Sequence, residues 1–256
     1  MCELFGVTSQ GRIVLNELLL EFFSHGVEHP NGWGMAFFYG NAVSLEKQPE
    51  ASHKSVYLKQ RLQFKVEADK MIAHIRLATR GNLNYENTHP FVMRDNSNRT
   101  WTLAHNGTIF DCDLLNLFTK RQQGQTDSER ILVYIVSRMN KEMEKKKELS
   151  GQERFGLVNE ILCEITPENK VNLLLFDGEL MYVHTNYKNS LYRCQKGEAV
   201  VISTTPLDCH RWEPVPMNTL IAYQDGKQIH TGTKHDNEFF ETEEKMRLLF
   251  LDFANL

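Results

Sequence analysis

Apolar positions recur along this chain with two spacings, and the change from one to the other outlines its elements. Val14, Leu15, Leu18, Leu19, Phe22 and Phe23 return every three to four residues, which predicts an amphipathic helix over 13–24. Shorter apolar runs bounded by turn residues predict strands over 3–8, 33–39, 43–47, 71–78 and 101–104, with Ser9-Gln10-Gly11 and Gly40-Asn41 as turns. Helical spacing is expected over 54–64, 114–120 and 154–165. Thr126-Asp127-Ser128-Glu129 has the form of a capping box, and the helix it opens carries Leu132, Val136, Met139 and Met143 on one face before a solvated charged stretch at 141–148. From Lys170 the pattern turns to strands at 171–176, 180–184, 191–194, 199–203 and 219–223, separated by turns such as Asp177-Gly178 and Asp225-Gly226. The tail, 239–256, is apolar enough to dock. No repeat or Pro/Ser-rich linker divides the chain, so one α+β domain over 1–256 is expected, with antiparallel strands and helices grouped between them.

Composition narrows the class. The chain has 256 residues, 24% of them charged, with a formal net charge of −4, and its pI is about 6.2. No basic stripe with interleaved aromatics is present, which argues against a nucleic-acid partner. No apolar run approaches the roughly twenty residues of a membrane span, and the start lacks a signal-peptide pattern, so neither membrane nor export is expected. The five cysteines (Cys2, Cys112, Cys163, Cys194 and Cys209) have neither metal-ligand nor redox spacing. A cytoplasmic protein with reduced thiols, no metal and no cofactor fits best.

Candidate chemistry begins at Cys2. It is small enough for Met1 to be trimmed, which would leave its thiol beside its own α-amine, a base titrating at about 7.7–8.0. Taken alone, Met-Cys is more often an accident of sequence. Arg76 either faces solvent on its strand or forks two hydrogen bonds onto a carboxylate. Asn106-Gly107 reads as a hairpin turn, or as an amide and a backbone N–H that receive an oxyanion. Asp127 in a first helical turn serves the helix dipole or pairs with a substrate ammonium. His74, His89 and His105 are more often structural than catalytic.

Six segments in order resemble one family: Met1-Cys-Glu-Leu-Phe-Gly6, His29-Pro-Asn-Gly-Trp-Gly34, Ala73-His-Ile-Arg-Leu-Ala-Thr-Arg-Gly81, Thr88-His-Pro-Phe91, Ala104-His-Asn-Gly-Thr-Ile109 and Thr126-Asp-Ser-Glu129. They are similar to the class II glutamine amidotransferase domain of the N-terminal nucleophile hydrolases, and especially to its stand-alone YafJ-like branch. That branch is related to enzymes acting on γ-glutamyl compounds in thiol metabolism. The second half of the chain matches only in its strand-rich character. The resemblance implies a four-layer αββα sandwich, two antiparallel sheets between helix layers. It implies Cys2 as nucleophile with its α-amine as base, Asn106 and Gly107 as oxyanion hole, Arg76 on the substrate α-carboxylate and Asp127 on its α-amine. Thr79, Arg80 and Gly81 would line the glutamine pocket, with His89 and His105 in support. Asn31 stands where related sequences usually carry Asp, and Arg80 where many carry His.

The expected activity is hydrolysis of the γ-amide of glutamine or a related γ-glutamyl compound through a thioester on Cys2. Nothing resembles a P-loop or an adenylate-forming module, so the chain is expected to be a stand-alone amide hydrolase or the glutaminase subunit of an ammonia-accepting or hydrolase complex. The alternative is a catalytically quiet protein of the same fold that binds a γ-glutamyl metabolite.

Overall fold

The structure is a computed structural model that describes residues 2–79 and 81–247. In chain order its first half runs β1 (Glu3–Val14), α1 (Asn16–Ser24), β2 (Trp33–Tyr39), β3 (Ala42–Gln48), α2 (Val56–Gln63), β4 (Glu67–Ile75), β5 (Phe91–Arg94), β6 (Thr100–Thr108) and α3 (Asp113–Asn116). Then come α4 (Asp127–Met143), α5 (Gly151–Ile165), β7 (Lys170–Phe176), β8 (Met181–His184), β9 (Tyr192–Lys196), β10 (Ala199–Ser203), β11 (Glu213–Pro214), β12 (Ile221–Gln224) and β13 (Lys227–Thr231).

Two antiparallel sheets result, ordered β11-β9-β10-β1-β4-β2-β3 and β13-β12-β8-β7-β6-β5. Side-chain alternation shows how they stack. On β2, Trp33, Met35 and Phe37 pack against α1 and α2, whereas Ala36 and Phe38 enter a core shared with Leu174 and Phe176 of the other sheet. On β7, Val171, Leu173 and Leu175 face α4 and α5. Both faces of each central strand are buried, so these strands read as continuous apolar runs. The order helix, sheet, sheet, helix is the four-layer αββα sandwich that the resemblance implies. Gly6 fits the narrow gap between sheets, since a Cβ there would lie 2.8 Å from Leu174 Cδ1.

Local chemistry accounts for the differences from expectation. Ser9-Gln10-Gly11 is not a turn, because β1 continues to Val14 across a bulge between Thr8 and Ile13. Asn106-Gly107 is not a turn either. It lies inside β6, where Asn106 pairs with Asn172 and Gly107 with Val171. Thr126 caps α4 by accepting from the Glu129 N–H, but Glu129 turns its carboxylate to the Gln123 and Gly124 N–H groups, so the reciprocal half of a capping box is missing. A complete box instead opens α5 at Ser150 and Glu153. The expected helix over 114–120 shrinks to α3, and β5, β11 and β13 were not anticipated. Of the expected docking tail, 248–256 lie outside the described residues. No described helix is long and apolar enough to cross a membrane.

Candidate active site

The alternation that stacks the sheets also aims Cys2. Leu4 belongs to the inter-sheet core and Phe5 to the helix side, so Cys2 lies in phase with the inter-sheet face. On the opposite sheet Ala104 belongs to the inter-sheet core, which puts Asn106 in the same phase. The two side chains thus approach one end of the sandwich from different sheets. The start of β1 is clamped on both sides: Glu3 pairs with Ile75 in register, and the Leu4 N–H donates 2.7 Å to Thr204 Oγ1 while Leu4 O accepts from the Thr204 N–H. The Glu3 carboxylate also meets His25 Nδ1 at 2.7 Å on the helix side.

Cys2 Sγ sits 3.3 Å from both the backbone N and O of Leu77. Burial pushes its thiol up, and the Leu77 N–H and the Arg76 guanidinium oppose that shift. Asn31 braces the Leu77 segment: its N–H donates to Arg76 O at 3.0 Å and its Oδ1 accepts from the Ala78 N–H at 2.9 Å. This needs only an acceptor oxygen, which an amide supplies as a carboxylate would.

A narrow cleft with a cavity volume of about 30 Å³ opens at the thiol, with Cys2, Leu77, Thr79, Asn106, Gly107 and Thr108 on its inner wall. Asn106 is 2% exposed, yet its side chain makes no hydrogen bond among the described residues, which leaves its amide available to the cleft. Gly107 also answers a packing demand. A Cβ there would fall 2.0 Å from Lys170 O and 2.4 Å from His105 Nε2, so the neighbouring strand and side chain exclude it.

Arg76 and Asp127 stand behind this wall, close enough for their charges to act on the thiol in opposite senses. Arg76 is 2% exposed and donates to Gly81 O at 2.9 Å and Asn82 O at 3.1 Å, holding the loop after β4. Asp127 Oδ2 accepts from the Ile109 N–H at 2.8 Å and its Oδ1 from the Ser128 N–H at 2.8 Å, tying the first turn of α4 to the end of β6. Gly81 has φ +78 and packs on Asn87, whose Nδ2 donates to Asn82 O and whose Oδ1 accepts from the Gln125 N–H.

The histidines form a layer beneath the site. His74 and His89 stack with centroids 4.0 Å apart, and His74 Nε2 donates to His105 O at 3.2 Å. His105 lies on the helix side of β6: Nε2 donates to Lys170 O at 3.3 Å, so Nδ1 accepts from Ser128 Oγ at 2.9 Å. Burial lowers the pKa of all three.

Of the residues singled out in the sequence, Cys2, Thr79, Asn106 and Gly107 line the cleft. Arg76, Asp127, Gly81, His89 and His105 surround or underlie it, and Arg80 lies outside the described residues. The outer wall escaped the sequence reading. Phe110, Lys170, Phe239, Glu241, Lys245 and Met246 supply it, and no local motif marks any of them.

The family model described as class-II glutamine amidotransferases matches residues 1–196. An uncharacterized protein of Methanocaldococcus jannaschii is 28% identical over 262 residues, covering 91% of this chain and 72% of that protein. The "Putative glutamine amidotransferase YafJ" of Escherichia coli K12 is 28% identical over 210 residues, covering 79% and 80%. Among solved structures, the glutamine phosphoribosylpyrophosphate amidotransferase of B. subtilis shares the fold with a TM-score of 0.67 at 17% identity, covering 93% of this chain. This chain spans half the length of that enzyme chain, 50%.

Proposed function

The chain belongs to the class II glutamine amidotransferases and has the N-terminal nucleophile hydrolase fold, and on that premise we propose that it cleaves the γ-amide of glutamine or a related γ-glutamyl compound through a thioester on Cys2. The observation that carries this reading is the meeting of Cys2 with the Asn106 amide and Gly107 in one cleft, built from two opposed sheets.

Removal of Met1 frees the Cys2 α-amine next to its thiol. The amine takes the thiol proton, and Sγ attacks the amide carbonyl. Asn106 and the Gly107 N–H receive the oxyanion, a donor pair of which one member is typically worth about 2.7–4 kcal/mol in the transition state. The C–N bond breaks, the amine departs with the proton, and a γ-glutamyl thioester remains for water to hydrolyse with the same α-amine as base. Arg76 and Asp127 bear opposite charges suited to the α-carboxylate and α-amine of the γ-glutamyl head. A substrate carboxylate reaching Arg76 replaces the Gly81 and Asn82 carbonyls it now holds. Thr79 and Gly81 belong to the loop around that head, with His89 and His105 supporting the wall from behind.

Mass spectrometry of the purified protein incubated with glutamine and a panel of γ-glutamyl amides tests this. Met1 loss, a γ-glutamyl adduct on Cys2 and release of glutamate are expected, and Cys2→Ala retains the fold while losing adduct and turnover. Substantial hydrolysis by Cys2→Ala would sink the mechanism. Ligand binding with no turnover by Met1-processed protein would favour the quiet binder.

A further inference from the structure

Beside Asn106, on the next strand, stands a second buried amide with a donor to spare. In the pairing of β6 with β7, Ala104 lies opposite Leu174 and Asn106 opposite Asn172. Ala104 and Leu174 both belong to the inter-sheet core, so Asn106 and Asn172, each two residues away, share that face. Directly opposed residues on one face have Cβ atoms about 4.5–5.5 Å apart, within reach of two short amide side chains. On its other side β7 pairs with β8, where Leu173 lies opposite His184. The next step of that register sets Thr185 beside Asn172. Asn106, Asn172 and Thr185 thus form one polar row across the sheet, at the end of the sandwich that Cys2 reaches from the other sheet.

The row has a direction. Asn172 and Thr185 are buried, 0% and 2% exposed. The Thr185 hydroxyl donates to Asn172 Oδ1 at 2.7 Å. Tyr187 O, 3.2 Å from the same hydroxyl, is already served by Ser190 Oγ at 2.6 Å. The two ends of an amide diverge, so an oxygen engaged on the β8 side turns the nitrogen toward β6. Asn172 Nδ2 has no hydrogen-bond partner among the described residues. A buried N–H with no acceptor is a cost that folded proteins seldom carry. Asn106 has the reciprocal need. Its amide has nearly the same shape either way round, but only the nitrogen end donates. With Nδ2 toward an oxyanion in the cleft, Oδ1 turns back to the sheet and requires a donor there.

The geometry points to Asn172 as a positioning residue for the amide-cleaving step: when an oxyanion engages Asn106 Nδ2, Asn172 Nδ2 takes up Asn106 Oδ1 and holds that amide the productive way round. This rests on the amide-hydrolase reading above and adds a layer behind the donor pair. Thr185 donates to Asn172, Asn172 to Asn106, and Asn106 to the developing negative charge. All three donors face one way, and hydrogen bonds in such a chain polarise one another. Without Asn172, Asn106 is free to turn its oxygen to the oxyanion, which repels it.

A double-mutant cycle on Met1-processed protein tests this, with glutamine or the γ-glutamyl amide it cleaves best. Asn172→Leu, close in volume and without polar side-chain atoms, should lower kcat about tenfold, the worth of one hydrogen bond. KM should stay within about twofold, because the lost interaction belongs to the transition state. Asn172→Asp, which as a carboxylate only accepts, should draw Asn106 Nδ2 backward and lower kcat about a hundredfold, as loss of an oxyanion donor does. In an Asn106→Ala background neither substitution should lower kcat further. Alkylation of Cys2 by iodoacetamide, which forms no oxyanion, should keep its wild-type rate in Asn172→Leu protein. Should Asn172→Asp fail to fold in thermal melts, Asn172→Leu carries the same cycle. Equal kcat losses with and without Asn106, a loss confined to KM, or alkylation slowed as much as hydrolysis would leave Asn172 a packing role only and overturn the inference. Wild-type protein that cleaves neither glutamine nor a γ-glutamyl amide overturns the hydrolase reading and this inference with it.

Discussion

Gly107→Ala tests the packing behind the oxyanion position. The added methyl carbon would sit 2.0 Å from Lys170 O and 2.8 Å from Lys170 C, both backbone atoms of the adjoining strand. A close carbon–oxygen contact is roughly 3.3 Å, so β6 and β7 must separate locally by about 1.3 Å. No flexible side-chain end is available to absorb this against Lys170. Overpacking of this kind typically costs about 1–3 kcal/mol, and each kcal/mol lowers the melting temperature by roughly 2–4 °C in a chain of this size. The same shift carries Asn106 and the residue 107 N–H away from the Cys2 sulfur, and a displacement near 1 Å costs turnover about a hundredfold. Thermal melts and glutamine hydrolysis rates on Met1-processed protein read out both effects. A Gly107→Ala protein with wild-type melting temperature and wild-type kcat would refute the reasoning, because a methyl group would have been accommodated where none fits.

Other outcomes follow from the same geometry. Gly156→Ala, in α5 with open space at its Cβ, should stabilise by about 0.5–1 kcal/mol in urea unfolding, because helical glycine carries an entropy cost that alanine lacks. Arg154→Ala should destabilise by about 1.5–3 kcal/mol in the same assay, since the fully buried Asp177 carboxylate loses the Arg154 Nε contact at 2.7 Å and keeps the Tyr182 hydroxyl at 2.7 Å and Arg99 Nη1 at 4.0 Å.

Much of this architecture is legible in the chain because most strands are short apolar runs with turn residues at their ends. The strand 33–39 and its Gly40-Asn41 turn read directly, since nothing tertiary contradicts them. Asn106-Gly107 shows the limit of local signals: pairing with β7 overrides the turn preference of Asn-Gly, and only long-range register reveals it. Ser9-Gln10-Gly11 fails for the same reason, β1 being carried past it by pairing with β4. The nucleophile and its partners were recognisable as short motifs, whereas Lys170 and the Phe239–Lys245 wall were not. Their place in the site depends on a chain reversal more than 60 residues past Lys170 in sequence, and no spacing within either segment encodes it.

The clamp on the first strand has a consequence for how this amino terminus tolerates change. Because the chain is pinned from Glu3 onward and its side chains flip with every residue, one extra residue between Cys2 and Leu4 would rotate the sulfur toward the helix layer, away from Asn106. Two extra residues would restore its direction but carry it roughly 6.6 Å past the cleft. Neither indel can be rescued by flexibility, so the terminus behaves as a ruler with a single usable mark. Affinity tags on this protein belong at the far end or behind a protease that cuts flush at the cysteine.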